Sequence, residues 1–307
     1  MEHTYYTADV FTDRAFQGAQ IAVFPEASTM PESLMAEIAA ELNLSETVFV
    51  TDSIIGKEEA DRFQLRIFTP QGEIRFAGHP MLAAASALSA CGQIKATGTG
   101  KKRIIFEQLL GPIEVDLRWS TNAPLFVQFS LAANPIIDRY TPSEVELARV
   151  LGLTERDIDS HTYHPRLVSI DRPYLIVPLG SQAAVRAAAF NVEAWSQSSV
   201  PALAAQDIFI FSSKTEQVET NFHGRLMGPE IGAKEDPPIG SVMPCFAGYL
   251  GDNIELREGT YTFTIDRGTS ATRRSVLHVE LEHHQGKPST VSVGGEVVLV
   301  SHGTLTL

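Results

Sequence analysis

Two distant stretches of this chain read as a strand that turns sharply into the mouth of a helix. The stronger is Arg66-Ile-Phe-Thr-Pro-Gln-Gly-Glu-Ile-Arg-Phe-Ala-Gly-His-Pro80, followed at once by an Ala-rich apolar run. Glycine at 78 lets a ligand approach the backbone, and Pro80 suits a first helical turn, where its missing N–H would be unpaired anyway. The free N–H groups and positive dipole end of such a helix make a ready site for a small anion such as a carboxylate. The weaker copy is Glu235-Asp-Pro-Pro-Ile-Gly-Ser241, which also opens an apolar run. Two similar mouths in one chain predict a duplicated fold with a cleft between its halves.

Length and charge narrow the classes that such a fold can serve. At 307 residues the chain is long enough for two domains of ordinary size. A formal charge of −13 argues against nucleic acid and against anionic membrane surfaces. It does not argue against a small anionic substrate, because a local site can be positive within a negative protein. Two cysteines, Cys91 and Cys245, suit a reducing compartment better than a disulfide framework. The start, Met-Glu-His-Thr-Tyr-Tyr, has no basic segment ahead of an apolar core, and no run reaches the roughly eighteen apolar residues of a membrane span. A cytoplasmic protein is expected.

Strand-like patterns dominate. Tyr5–Phe11, Phe63–Phe68, Ile104–Glu107 and Ile113–Leu117 are rich in β-branched and aromatic residues, as are Tyr174–Val177, Ile208–Phe211, Tyr261–Ile265, Val276–Leu281 and Glu296–Val300. Helices are predicted over Ser33–Leu42, with Thr29 and Glu32 as a capping box, and over Ser143–Leu151, with Thr141 and Glu144 as the box and Gly152 as the stop. Met81–Ala90 is apolar nearly all round, as for a helix buried on every side. Val242–Leu250 is similar but holds Pro244 and Gly248. The turn-rich stretch Ser130–Pro142 marks the boundary between an N-terminal lobe, 1–130, and a C-terminal lobe, 131–289, with the strands of about 290–307 free to return to the first. Thr97-Gly-Thr-Gly-Lys-Lys102 reads as a hairpin tip rather than a phosphate loop, and Gly294-Gly295 as a hairpin turn.

The candidate chemistry gathers at few positions. Glu46, in Asn43-Leu-Ser-Glu-Thr-Val-Phe-Val50, stands where a helix gives way to a strand. Flanked by Leu44, Val48 and Phe49, its carboxylate is open to partial desolvation, which raises a pKa and suits a general acid/base. The alternative is a solvated glutamate at a helix–strand junction. His79 is either a neutral, hydrogen-bond-donating imidazole at a helix start or a capping histidine. Asp236 holds a substrate ammonium or hydroxyl, or caps a turn before Pro237-Pro238. Gly240 and Ser241 offer N–H groups and a hydroxyl to a carboxylate, or simply start a helix. No metal site is expected, because His161, His164, His283 and His284 lack Cys or acidic partners at ligand spacing. Cys91 and Cys245 invite a two-thiol racemase reading, but they do not occupy equivalent places after the two mouths and read better as small buried residues.

Taken together, in order, these segments resemble the PhzF-like family, built on the diaminopimelate-epimerase-like fold. Asp9-Val-Phe-Thr-Asp-Arg-Ala-Phe-Gln-Gly18 is similar to its opening strand and loop, and Asn43-Leu-Ser-Glu-Thr47 to its catalytic-glutamate motif. Phe68-Thr-Pro70 with Phe76-Ala-Gly-His-Pro80, the second mouth, and Arg273-Arg-Ser-Val-Leu277 complete the match. The resemblance implies an α+β protein of two similar lobes. Each lobe is a curled, mostly antiparallel sheet or barrel around a central helix, and the site lies between them. It implies cofactor-independent isomerisation, in which Glu46 removes a proton from carbon and redelivers it elsewhere on the same substrate. His79, Asp236, Gly78 and Ser241 then position the substrate and stabilise its developing charge. In the phenazine-biosynthesis isomerase for which the family is named, the substrate is a dihydro-hydroxyanthranilate. A homodimer is also implied.

Three departures fall at or beside the expected cleft. Gly18-Ala19-Gln20 replaces Gly-Asn-Pro, Met81 replaces a threonine, and Pro238-Ile239 replaces Ala-Thr. The last two remove hydroxyl groups, which changes the substrate polar groups that the pocket can satisfy, so Gln20 and Met81 join Gly78, Gly240 and Ser241 as expected substrate-binding positions. The leading expectation is an isomerase acting on a small carboxylate-bearing cyclic or amino-acid-like molecule. An epimerase or racemase on the same fold needs two opposed bases, and a non-catalytic small-molecule-binding member needs none.

Overall fold

Runs of valine, isoleucine and phenylalanine broken by short polar turns give the chain sixteen strands and six α-helices among its described residues. The computed structural model describes residues 2–56, 60–95, 98–121, 123–170, 172–203, 205, 207–231, 237–253, 257–269, 271–286 and 288–306. The chain forms two compact units, Met1–Leu131 with Thr269–Leu277 and Ser292–Leu307, and Ala132–Gly268 with His278–Val291.

The N-terminal part holds β1 (Glu2–Val10), β2 (Ala19–Phe24), α1 (Glu32–Leu42), β3 (Glu46–Ile54), β4 (Asp61–Thr69), β5 (Gly72–Ile74), α2 (His79–Ala90), β6 (Gly100–Gln108), β7 (Gly111–Ser120) and β8 (Ala123–Ala133). There follow β9 (Ile136–Asp138), α3 (Glu144–Val150), β10 (Arg166–Ser169), β11 (Pro173–Pro178), α4 (Gln182–Ala187) and α5 (Val192–Gln197). The chain continues through β12 (Asp207–Ser212), β13 (Phe222–Met227), α6 (Met243–Asn253), β14 (Gly259–Arg267), β15 (Ser275–His283) and β16 (Ser289–Thr306).

In the first unit the strands run β1-β2-β3-β4-β6-β7-β8-β16, and β16 pairs back onto β1, closing eight strands into a barrel. Closure leaves none of these eight strands at a sheet edge among the described residues, and the short β5 pairs with β4 beside the barrel. The β2–β3 and β4–β6 pairings are parallel. Alternation then sorts the side chains. Phe24, Phe49 and Phe68 face α1, whose Met35, Ile38 and Ala39 are spaced as one helical stripe. Ile21, Val23 and Val48, on the opposite face, are wholly buried. Small residues let α2 bury ten of its positions, His79 through Leu88, as its all-round apolar pattern predicts. The second unit carries the order β15-β14-β13-β12-β11-β10-β9. Its aliphatic core joins Leu147, Val150, Leu175, Val177, Ile208 and Ile210.

Several local details correct the sequence reading. The capping box of α3 is Ser143 with Glu146, two residues later than Thr141 with Glu144, a register that turns Leu147, Ala148 and Val150 inward. At α1 no side chain caps the helix. Pro31 holds the cap position, and Glu32 pairs instead with Arg66 at 2.9 Å. Gly294 and Gly295 lie inside β16, not at a turn. A Cβ at Gly294 would stand 2.7 Å from the Val127 carbonyl oxygen, and one at Gly295 would stand 2.7 Å from the Phe11 ring, so close packing explains both. In the expected hairpin tip at 97–102, residue 97 lies outside the described residues and Gly100 opens β6.

Candidate functional site

Parallel pairing of β2 with β3 sets Ile21 opposite Glu46, so the carboxylate opens β3 on the barrel's inner face. The turn after β5 brings the start of α2 to the same place. His79 Nε2 lies 2.8 Å from Glu46 Oε2, joining residues 33 positions apart. The pair is sheltered: the His79 side chain is 4% exposed and that of Glu46 13%. Burial pushes the Glu46 carboxyl up and is the largest single effect. The attraction and hydrogen bond of His79, with a smaller contribution from the Ser45 hydroxyl, outweigh it and hold the carboxyl below the ordinary glutamate value. The rise expected from desolvation is therefore reversed in sign by a partner that local sequence does not reveal. Facing an ionised carboxylate, Nε2 carries the hydrogen and donates it. Such a pair is a base held ready beside a hydrogen-bond donor.

The remaining expected positions divide. Gly78 caps α2 with helical angles, φ −73° and ψ −53°, so it is not required for its conformation. A Cβ there would stand 2.2 Å from Phe129 Cζ, and the close approach that demands glycine is made by this ring. Met81 is fully buried and offers no open surface to a ligand. Gln20 is exposed and, by alternation from Ile21, points to the face opposite Glu46. Asp236 lies outside the described residues. In the second unit, Gly240 is buried ahead of α6, and Ser241 is hydrogen-bonded to the buried Tyr174. Cys91 ends α2, about 18 Å along the helix from His79 by the rise per residue. Burial pushes the Cys245 thiol up to about 12, which suits packing better than acid/base work. Among the described residues, no three His, Cys, Asp or Glu side chains gather as metal ligands.

The sequence does not reveal a second feature of the first unit. Asp9, at the end of β1, is 1% exposed and pairs with Arg273. Its other carboxylate oxygen accepts the Phe16 N–H at 2.5 Å. Arg273 also donates to the carbonyls of Gln17 and Gly18, each at 3.1 Å. Both segments stood out in the sequence, but a contact spanning 264 positions left no local signal.

The closed barrel of one unit and the sheet-rich second unit are a fold shared with solved phenazine-biosynthesis proteins and a probable proline racemase. A phenazine biosynthesis protein of the PhzF family from Bacillus anthracis superposes with a TM-score of 0.83 over all of both chains, at 18% identity. A probable proline racemase from Agrobacterium radiobacter superposes with a TM-score of 0.62, covering 99% of this chain and 93% of its own. The chain belongs to the phenazine biosynthesis-like protein family, whose model matches residues 8–303. It is 30% identical to an uncharacterized isomerase of Mesorhizobium japonicum over 98% of both chains. It is 28% identical to the trans-2,3-dihydro-3-hydroxyanthranilate isomerase of Pseudomonas chlororaphis, over 99% of this chain and all of the other. The family is thus one of isomerases. Among the described residues, no helix is long and apolar enough to cross a membrane.

Proposed function

We propose that the protein is an isomerase that moves a proton between carbons of one small carboxylate-bearing substrate, with Glu46 as the base and then the acid. The observation that carries this reading is the 2.8 Å bond between His79 and a nearly buried Glu46. Glu46 is ionised before substrate arrives, so its first act is to accept a proton. The C–H bond breaks and its electron pair enters the neighbouring π system. The double bond relocates, and protonated Glu46 returns the proton to the far end of that system. A lowered pKa makes Glu46 a modest base but its conjugate acid a willing donor, so the return step is easy. The substrate C–H must therefore be activated by conjugation, or the developing charge must be met by donors. The N-terminus of α2 is the available donor, because the His79 N–H is already given to Glu46.

A trans-2,3-dihydro-3-hydroxyanthranilate, the compound in the relative's name, fits that description, being a conjugated ring acid. The finer architectural expectation belongs to the same reading: like-folded lobes with a central helix each, working as a homodimer, with Asp236, Gly240 and Ser241 serving the substrate. The test is incubation of this compound in deuterium oxide with wild type and with Glu46→Gln. Wild type is expected to yield an isomer carrying deuterium at the new C–H, and Glu46→Gln to be slower by about 10²- to 10⁴-fold. Equal incorporation by both proteins removes Glu46 from this role.

A further inference from the structure

An imidazole that works beside a carboxylate is ordinarily fixed by a second hydrogen bond through its other ring nitrogen, which also sets the tautomer. His79 lacks that bond. Its Nδ1 is buried and has no hydrogen-bond partner among the described residues, while Nε2 is spent on Glu46. The residue is 3% exposed, so solvent does not reach that side of the ring. One hydrogen bond leaves the ring free to pivot about its broad Cβ–Cγ torsion. Packing has to supply the second constraint.

The ring beside it is that of Phe11. The two centroids are 6.4 Å apart with the planes inclined at 40°, and Phe11 is 1% exposed. Strand alternation does not bring it there. Ala8 stands opposite Ile21, and Ile21 opposite Glu46, so Ala8 and Val10 share the face of Glu46 while Asp9 takes the other. Continued alternation would send residue 11 to the face of Asp9. Instead β1 ends at Val10 and Phe11 takes φ 65°, a left-handed conformation that is an outlier for a bulky aromatic. That turn brings the ring to His79. Three contacts hold it. The Phe11 carbonyl accepts the Val276 N–H at 2.8 Å, the Thr12 N–H donates to Glu296 O at 3.1 Å, and Asp9, two residues back, pairs with Arg273. Room for the ring comes from β16, where a Cβ at Gly295 would stand 2.7 Å from Phe11 Cδ1 and 3.2 Å from its Cα. Strained residues persist where their surroundings over-determine them in this way, and they gather at active sites. A ring needed only to fill space would not require both a left-handed backbone and a glycine against it.

We propose that Phe11 is a positioning residue for His79, its ring standing in for the missing second hydrogen bond and holding the imidazole on Glu46 with the hydrogen on Nε2. The apolar surface also selects the tautomer, because a hydrogen on Nδ1 would be a buried donor without an acceptor. Phe11 acts through His79 rather than on the substrate. The catalytic meaning of the arrangement rests on the isomerase reading; the arrangement itself does not.

The test needs no substrate. Proton–nitrogen correlation NMR of the His79 ring reads which nitrogen carries the hydrogen, and a carbon-detected titration of the Glu46 carboxyl reads whether its hydrogen bond from His79 is kept. At about pH 8, where an ordinary histidine is neutral, wild type is expected to show the Nε2–H form with less than about a tenth of Nδ1–H. Phe11→Leu keeps apolar bulk but loses the flat ring, and Gly295→Ala displaces the ring without removing it. In each variant the Nδ1–H form is expected to grow about two- to tenfold, the worth of an aromatic pair, and the Glu46 midpoint to rise as the His79 bond weakens. A lower Tm in both variants with tautomer and Glu46 midpoint unchanged would make Phe11 a space-filling core residue and overturn the proposal. Nδ1–H, or an even mixture, in wild type would overturn it as well, and that result requires no variant to fold. Deuterium incorporation dependent on Glu46 is measured separately, on substrate, so this inference and the isomerase reading can each fail while the other stands.

Discussion

Replacing Gly78 with alanine separates two effects that act in opposite directions at the mouth of α2. Gly78 has helical angles that any residue adopts, so alanine restricts the unfolded chain and stabilises by about 0.4–1 kcal/mol on that count. Against this, the new Cβ would stand 2.2 Å from Phe129 Cζ and 2.5 Å from Cε1. Carbon atoms rest about 3.5–4.0 Å apart, so the overlap exceeds about 1 Å. Phe129 is fully buried and meets Phe76 edge-on at 6.2 Å, which leaves the ring little room to retreat. Overpacking of this kind costs about 1–3 kcal/mol, and an overlap this large belongs at the upper end. The net expectation is a loss of about 2 kcal/mol, read as a lower denaturant midpoint at unchanged slope. Because His79 is the next residue, the same variant should also lose isomerase rate. Truncating the ring tests the cause: in Gly78→Ala combined with Phe129→Leu, the two changes should couple favourably by at least about 1 kcal/mol. Gly78→Ala at or above wild-type stability would refute the reasoning, since the chain-entropy effect would then prevail.

Two further outcomes follow from buried charges in the same unit. The Glu46 carboxyl is held below its ordinary value, so the native state binds fewer protons there than the unfolded chain does. Its contribution is complete above the unfolded glutamate pKa, near 4.3, and is lost as pH falls through the folded value, so Glu46→Gln should flatten the acid limb of stability against pH as followed by thermal melts. Arg273→Ala leaves the Asp9 carboxylate 1% exposed without its cation, and a loss on the order of 3 kcal/mol is expected by chemical denaturation. Asp9→Asn, which removes the charge itself, should cost less.

Sequence carried the strands well, because long β-branched runs admit few other readings, and the all-round apolar pattern of α2 correctly implied burial. It also singled out Glu46 and His79 separately. What it could not supply was their distance, which depends on a parallel β2–β3 register and on a turn after β5, both set by tertiary packing. The sign of the Glu46 shift was lost for the same reason. Glycines proved ambiguous: Gly78, Gly294 and Gly295 all serve close packing against Phe129, Val127 and Phe11, where sequence suggested a ligand and a turn. Capping boxes were ambiguous in another way, since Thr141-x-x-Glu144 and Ser143-x-x-Glu146 both fit and only burial of Leu147 and Val150 chose between them. The Asp9–Arg273 clamp was invisible, because ion pairs between chain ends have no sequence period.

The central claim is that His79 keeps a sheltered Glu46 ionised and ready to accept a proton from carbon. Carbon-detected NMR titration of the Glu46 side-chain carboxyl, in wild type and in His79→Leu, tests it directly. The account predicts a wild-type midpoint below that of an ordinary glutamate, and a marked rise in His79→Leu, where only the Ser45 hydroxyl still opposes burial. A wild-type midpoint at or above the ordinary value, unmoved by loss of the imidazole, would contradict it.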